Sequence, residues 1–332
     1  MGNLQAFSSS KRRPLHEFLP LPQPLVLNIT VSSLCNFMCK FCFRSATGGS
    51  RSEGNMSVDL FKKLITGLSG FEGIIDTLSL AGDGEPLLHP QLIEIIKIAK
   101  GSNKVKNVKI TTNASMLTQE LSRSIISAGT DIIIISINGI SDEHYKSITN
   151  RDVDFNGIRD NIAYLYSIKG NTHIHIKCIG DYFSAEQKEE FVKVFSPLSD
   201  TFHIDNVANQ WLELKLDTKS DNRFGLQTKS SSFCNRPFYQ VSIRSDGKVT
   251  ACVADRKEPL FLGDTKETSL KDIWNGKTLY DLRMAHLSGN FRSKEKYINC
   301  AMCSFTAWQT SEGLTPYRED LIKKYERKQY EC

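Results

Sequence analysis

Cys35, Cys39 and Cys42 stand in a C-x3-C-x2-C run directly after an apolar stretch, residues 24–31, with the composition of a β-strand. Three thiolates this close in sequence can hold three corners of a cubic [4Fe–4S] cluster, whose usual full set is four cysteines. With only three, one iron keeps a position open to a small molecule, and an open metal position marks a catalytic rather than a structural site. Other readings remain at this point. Reduced, buried cysteines also serve as small hydrophobes. Structural zinc asks for four ligands, commonly as two C-x2–4-C pairs. A disulfide framework suits short secreted chains, whereas this one has 332 residues, nine cysteines and no secretory signal.

The last third holds a second set. Cys234 precedes a strand–turn–strand pattern in which Ser245-Asp246-Gly247-Lys248 forms the turn and Cys252 follows the return strand. An Asp-Gly turn between apolar runs is a hairpin signal, and the hairpin brings Cys234 and Cys252 to one end. The distant pair Cys300-Ala301-Met302-Cys303 completes four thiolates, a set that either zinc or an iron–sulfur cluster would accept. Cys178, inside an apolar run, reads as a core residue, and Cys332, at the chain end, is expected to be loose.

These cysteines need a scaffold, and its pattern is strand–helix alternation. Strands are expected over 26–31, 77–81, 105–111, 132–137, 173–179 and 202–207, with helices over 57–68, 90–99, 118–128, 155–168 and 185–194. Ser57 and Thr118 have the chemistry of N-caps. Such alternation predicts parallel strands joined by crossovers. The unbroken apolar run 131–136 predicts a strand buried on both faces. Six repeats are too few for a closed eight-fold barrel. In folds of this kind the chemistry gathers at the C-terminal ends of the strands. Those ends carry Gly82-Asp83-Gly84-Glu85, Thr112-Asn113, Ser136 and Asn138, Gly180-Asp181, and Asp205 with Asn206 and Asn209. A turn explains any one of them, but five would converge on one mouth. Glycines there let backbone approach a ligand, and carbonyls with a carboxylate can accept from an ammonium group.

The net charge of +5 is mild, and the Lys11-Arg12-Arg13 run lies in a Ser-rich N-terminal arm, so no nucleic-acid partner is expected. No apolar stretch is long enough to span a membrane and no signal peptide is visible, so the expected location is cytoplasmic. Residues 217–232, rich in Lys, Ser, Thr and Asp, read as a connector.

The segment Cys35-Asn36-Phe37-Met38-Cys39-Lys40-Phe41-Cys42 resembles the C-x3-C-x-aromatic-C signature of the radical S-adenosylmethionine (SAM) superfamily. The resemblance implies an α/β partial (β/α)6 barrel whose open iron is chelated by SAM, with Phe41 near the adenine. Residues 82–85 resemble the superfamily's G-G-E-P stretch with Asp83 inserted, so Gly82, Asp83, Gly84 and Glu85 are implied to hold the SAM amino group. Asn113, Ser136 and Asn138 match positions that contact SAM at the strand ends. The Cys234-to-Cys252 hairpin, Leu262-Gly263-Asp264 and the Ser269-to-Asn275 run resemble the SPASM auxiliary-cluster extension in its short, twitch form. That form implies one auxiliary [4Fe–4S] cluster on Cys234, Cys252, Cys300 and Cys303. The implied organisation is an N-terminal arm over 1–23, a partial barrel over 24–216, and a small α+β auxiliary-cluster domain with a terminal helix over 217–332.

The implied reaction begins with reductive cleavage of SAM to a 5′-deoxyadenosyl radical, which takes a hydrogen atom from the substrate. An electron donor such as flavodoxin or ferredoxin is implied. Within the superfamily the pattern looks most like the 2-deoxy-scyllo-inosamine dehydrogenase-like enzymes, which implies oxidation of a carbinol carbon in a sugar or cyclitol. Such an oxidation needs an acceptor for the hydroxyl proton, and Asp181, His203, Asp205 and Arg151 are the candidates at the strand mouths. His203 and Asp205 alternate with apolar neighbours and could equally form a solvent face. Two alternatives are a peptide maturase, which in relatives often carries an N-terminal peptide-binding domain, and a non-catalytic iron–sulfur electron carrier.

Overall fold

The computed structural model describes residues 14–46, 54–207, 214, 233–255, 259–303 and 314–329. The Lys11-Arg12-Arg13 run, Asn209, Cys332 and the 217–232 connector lie outside them. Six strands alternate with helices over the first two-thirds: β1 (Val26–Ile29), α1 (Phe43–Ala46), α2 (Val58–Gly67), β2 (Ile75–Leu80), α3 (Leu92–Gly101) and β3 (Val105–Thr112). There follow α4 (Gln119–Ser127), β4 (Ile132–Ile137), α5 (Asp142–Thr149), α6 (Phe155–Ile168), β5 (His173–Ile179), α7 (Ala185–Phe195) and β6 (Thr201–Asp205). Every neighbouring pair from β1 to β6 is parallel, which needs a crossover between strands and accounts for the interleaved helices.

The helices form where apolar residues recur on one side. In α2 the buried set is Val58, Phe61, Leu64 and Ile65, and in α3 it is Leu92, Ile95, Ile96 and Ala99, the spacing of a single helical face. Ser57 and Thr118 cap α2 and α4 by accepting from the amides of Leu60 and Leu121. Ser184 caps α7 in a reciprocal box with Gln187, satisfying two otherwise orphaned groups. The short α5 is absent from the predicted elements. Only eight residues long, it is capped by Ser141 and ends at Asn150 in the left-handed region, φ 55°, a conformation asparagine tolerates better than most residues.

The last third does not form a separate sheet. β7 (Gln240–Ile243), β8 (Lys248–Thr250) and β9 (Phe261–Asp264) extend the same sheet, giving the order β6-β5-β4-β3-β2-β1-β7-β8-β9. β7 runs parallel to β1, Asn28 beside Ser242, and the expected hairpin follows as the antiparallel β7–β8 pair. Helices α8 (Leu270–Asn275), α9 (Lys277–Ser288), α10 (Ile298–Met302) and α11 (Arg318–Gln329) complete the fold. Trp274 is buried. Its indole Nε1 donates to the Leu21 carbonyl, and the Arg283 guanidinium lies 4.1 Å over its ring, so α8 ties the chain's first described turns to its last third.

One expectation is corrected here. β4 is not buried on both faces: Ile133, Ile135 and Ile137 are buried, while Ile132, Ile134 and Ser136 are half-open. The apolar run hides an alternation because its second face looks toward a cavity rather than a second helix layer.

His175, on β5, is buried, with Nδ1 2.8 Å from the Thr201 hydroxyl. Burial, helped by Lys177, pulls its imidazole down to about 4. A folded-state value below the unfolded one means that the fold favours the neutral ring. That stabilisation is complete above about pH 6.5 and disappears as pH falls to about 4, a loss on the order of 3 kcal/mol. Urea midpoints should therefore decline across this window, and His175→Gln should flatten the decline. An unaltered slope in the variant would assign the acid sensitivity to other groups.

Candidate active site

The C-terminal ends of β1 to β5 open onto one cavity of about 400 Å³. Phe41, Gly82, Gly84, Ser136 and Asn138 line it, with Asn28, Ser79, Lys109, Thr111, Lys177 and Cys178 on the sheet side and Val253 at the edge nearest the second set of cysteines. Strand register explains the lining. Asn28 pairs with Ser79, Ser79 with Lys109, and Ser136 with Lys177, and residues side by side in a parallel sheet face the same way. The inner face therefore carries polar rows where an ordinary parallel sheet would carry aliphatics.

The three-cysteine loop is fixed at the rim from several sides. The amides of Met38 and Lys40 donate to the carbonyls of Thr149 and Ile148 at the end of α5. Asn36 donates to the Ser115 hydroxyl at 2.7 Å and accepts from the Asn113 amide at 3.0 Å. The Glu85 amide donates to the Leu34 carbonyl at 2.7 Å. Burial pushes the Cys39 thiol well up, and Cys42 and Cys35 push it further; burial likewise raises Cys35, which also senses Cys42. The thiols thus lie within each other's electrostatic reach, and Phe41 packs against Tyr182 with ring centroids 5.5 Å apart. At Gly84 a Cβ would collide with the Leu34 and Ser32 carbonyls, so the cysteine loop and the glycine segment pack backbone to backbone, as only glycine allows.

Asp83, Glu85 and Asn113 do not line this cavity. The buried Glu85 carboxylate accepts from the Thr112 hydroxyl at 2.6 Å and from the amides of Asn113 and Leu87 at 2.8 and 3.0 Å. Burial raises its pKa, against those three bonds. It is a latch between the ends of β2 and β3. The Asn113 amide group is used on Asn36 and on Ser115. Asp83 instead lines a small void with Arg244, Cys252 and Asp255, on the side of the second cysteine set.

The candidate proton acceptors separate in the same way. Asp181 accepts from the Val207 amide at 2.6 Å, and Arg151 donates to the Asn36 carbonyl at 3.3 Å; both hold backbone, and neither lines the cavity. His203 and Asp205 are buried rather than solvent-facing. Asp205 pairs with the Lys177 ammonium at 3.0 Å and lies 3.7 Å from His203 Nε2, so it stands behind a lysine that does reach the cavity. Lys109 and Lys177 are the residues that the sequence reading missed. The available signal was a lysine on the inward phase of an otherwise apolar strand.

The second set also comes together. Cys234, Cys252, Cys300 and Cys303 line one cavity of about 40 Å³, with Arg236, Asp255 and Asn299. Burial pushes the Cys234 thiol up to about 12, and it raises Cys300 well above its ordinary value, with Cys234, Asp255, Cys252 and Cys303 adding to that. All eight described cysteines are free thiols. Among the described residues no group of three His, Cys, Asp or Glu is suited to a single metal ion; the four thiols ring a space instead of converging on a point.

A parallel α/β sheet with a polar cavity at its strand ends, a three-cysteine loop beside it and four more thiols at a second cavity is laid out as an α/β enzyme with two cysteine donor sets. The chain belongs to the radical SAM superfamily, whose model matches residues 29–195, and the iron–sulfur cluster-binding SPASM model matches residues 234–304. A protein of this class takes a [4Fe–4S] cluster with SAM, and its SPASM-type domain takes auxiliary iron–sulfur clusters. Three mutually sensing thiols on the loop that brings Phe41 to the first cavity, and four thiols lining the second, fit those groups.

Among curated proteins the chain is similar to GTP 3′,8-cyclase of Chlorobaculum tepidum, 33% identical over 126 residues, covering 38% of this chain. The matched stretch spans about a third of that relative's length, 36%. Among solved structures it is similar to BtrN in complex with AdoMet and 2-DOIA, at TM-score 0.58 and 20% identity over 84% of this chain and 92% of that one. It is also similar to Streptococcus suis SuiB bound to the precursor peptide SuiA, at TM-score 0.63 and 17% identity over 87% and 72%. These two likenesses show a shared fold. Among the described residues no helix is long and apolar enough to cross a membrane.

Proposed function

We propose that the protein oxidises a carbinol carbon of a sugar or cyclitol. Cys35, Cys39 and Cys42 would hold the cluster that binds SAM, and Cys234, Cys252, Cys300 and Cys303 a second, fully ligated [4Fe–4S] cluster. When bound, these groups supply a 5′-deoxyadenosyl radical that removes a hydrogen atom from carbon, and an acceptor for one electron. The hydroxyl proton is left for the protein. The observation that carries the reading is Lys177. It lines the same cavity as Phe41 and Val253 and is backed by the buried Asp205 carboxylate at 3.0 Å. An ammonium paired with a carboxylate can accept the substrate's proton while passing its own to Asp205, as a general base acting through a relay.

The remaining residues position and exclude. Gly82 and Gly84 give the cofactor backbone to approach, Ser136 and Asn138 offer hydrogen bonds at the end of β4, and Phe41 covers one end. Glu85 and Asn113 hold the loops that carry these groups. A flavodoxin or ferredoxin would supply the first electron, and the cytoplasm, where thiols stay reduced, suits both clusters.

Lys177→Gln should lower formation of the oxidised product by about 10²- to 10⁴-fold, while 5′-deoxyadenosine release continues uncoupled. Equal product formation in this variant would sink the assignment. A second reading has its own observation: Lys109 and Lys177 line the cavity, and no carboxylate joins them among its described lining residues. An anionic substrate such as a sugar phosphate or a nucleotide would suit that lining, in keeping with the similarity to a GTP cyclase. Turnover of phosphorylated substrates, with neutral cyclitols left untouched, would favour it.

A further inference from the structure

Among the described residues that line the four-cysteine cavity, one is a cation, Arg236. Arg236 lies two residues after Cys234, at the start of a short turn ending at Phe238. Its guanidinium lines the cavity and its Nη1 donates to the Cys252 sulfur at 3.2 Å. The Ala254 amide points to the same sulfur at 3.4 Å. A guanidinium keeps its proton in proteins, buried or not, so Arg236 brings a full positive charge to the thiols. Asp255 lines the same cavity, and its carboxylate accepts from the Asn299 side chain at 2.6 Å and the Leu260 amide at 3.1 Å.

A cluster on four thiolates is anionic, and reduction adds another negative charge. Net charge, hydrogen bonds to sulfur and solvent exposure are what set such potentials. A charge-assisted donor on one ligand sulfur favours the more negative, reduced form, and low local dielectric strengthens the effect. We infer that Arg236 is a positioning residue that raises the electron affinity of the group held by the four cysteines, making it a better acceptor for an electron leaving the substrate. Arginine suits the role because its fork stays charged when buried and presents several donors in fixed geometry.

The inference rests on the four-cysteine site holding a cluster, and the test separates the two. Full-length Cys39→Ala protein is reconstituted anaerobically so that only the second cluster remains, and its potential is titrated by electron paramagnetic resonance. About four iron per chain must be found first; no iron would overturn the site reading itself. Adding Arg236→Gln should make reduction about tenfold less favourable, a shift of about 59 mV to lower potential for one electron. Arg236→Lys should shift it less, since the charge remains. An unshifted potential in Arg236→Gln overturns the inference. If Gln and Lys variants both fail to hold iron, Arg236 is a structural clamp and the tuning role is rejected.

Discussion

Cys39→Ala is expected to abolish 5′-deoxyadenosine release and to lower the iron content after reconstitution from about eight to about four per chain. Cys39 is the thiol that senses both of its partners, and burial raises its proton affinity most among the influences on it. Removing it leaves two donors where three are needed, so the first cluster is lost and not merely weakened. The fold should survive. The loop is held by the amides of Met38 and Lys40 on the α5 carbonyls and by Asn36 on Asn113 and Ser115, none of which needs the Cys39 sulfur. Circular dichroism should match the parent while radical chemistry is absent. Continued 5′-deoxyadenosine release with eight iron retained would remove the C-x3-C-x2-C run from the mechanism.

Cys300→Ala should separate the two sites in the opposite sense. Cys300 lies in α10, its thiol raised by burial and then by Cys234, Asp255, Cys252 and Cys303. Its loss should again leave about four iron, now at the first site. That cavity is lined without Cys300, so SAM cleavage should persist. The oxidised product should fall by about 10²-fold or more, because the substrate radical has nowhere to leave its electron. Product formation at the parent rate would mean that the second site is structural, and would favour a reaction with no net oxidation.

Much of this arrangement was legible along the chain. Cysteine spacing is local, so C-x3-C-x2-C and C-x2-C announced donor sets before any fold was known. The strand–helix alternation was equally readable, since helix faces such as Val58, Phe61, Leu64 and Ile65 and caps such as Ser57 and Thr118 depend on residues a turn away. Five polar strand ends also marked which end of the sheet mattered.

The role of each side chain within those ends was not legible. Asp83 sits between two glycines that face the cavity, yet it faces the other void. Glu85 reads as a ligand for an ammonium group but is consumed by Thr112, Asn113 and Leu87. His203 and Asp205 could equally have formed a solvent-exposed strand face; both are buried, and Asp205 pairs with Lys177.

The sequence by itself determined the donor chemistry, the α/β class and the end of the sheet that carries the site, because these follow from residue type and short-range periodicity. Only the tertiary structure decided that β7 joins the free edge of β1, and that Lys109 and Lys177 turn inward onto the cavity. The pairing of residues 26–29 with 240–243 depends on which strand edge the chain leaves open. A side chain's face depends on strand register, which a shift of one residue would reverse.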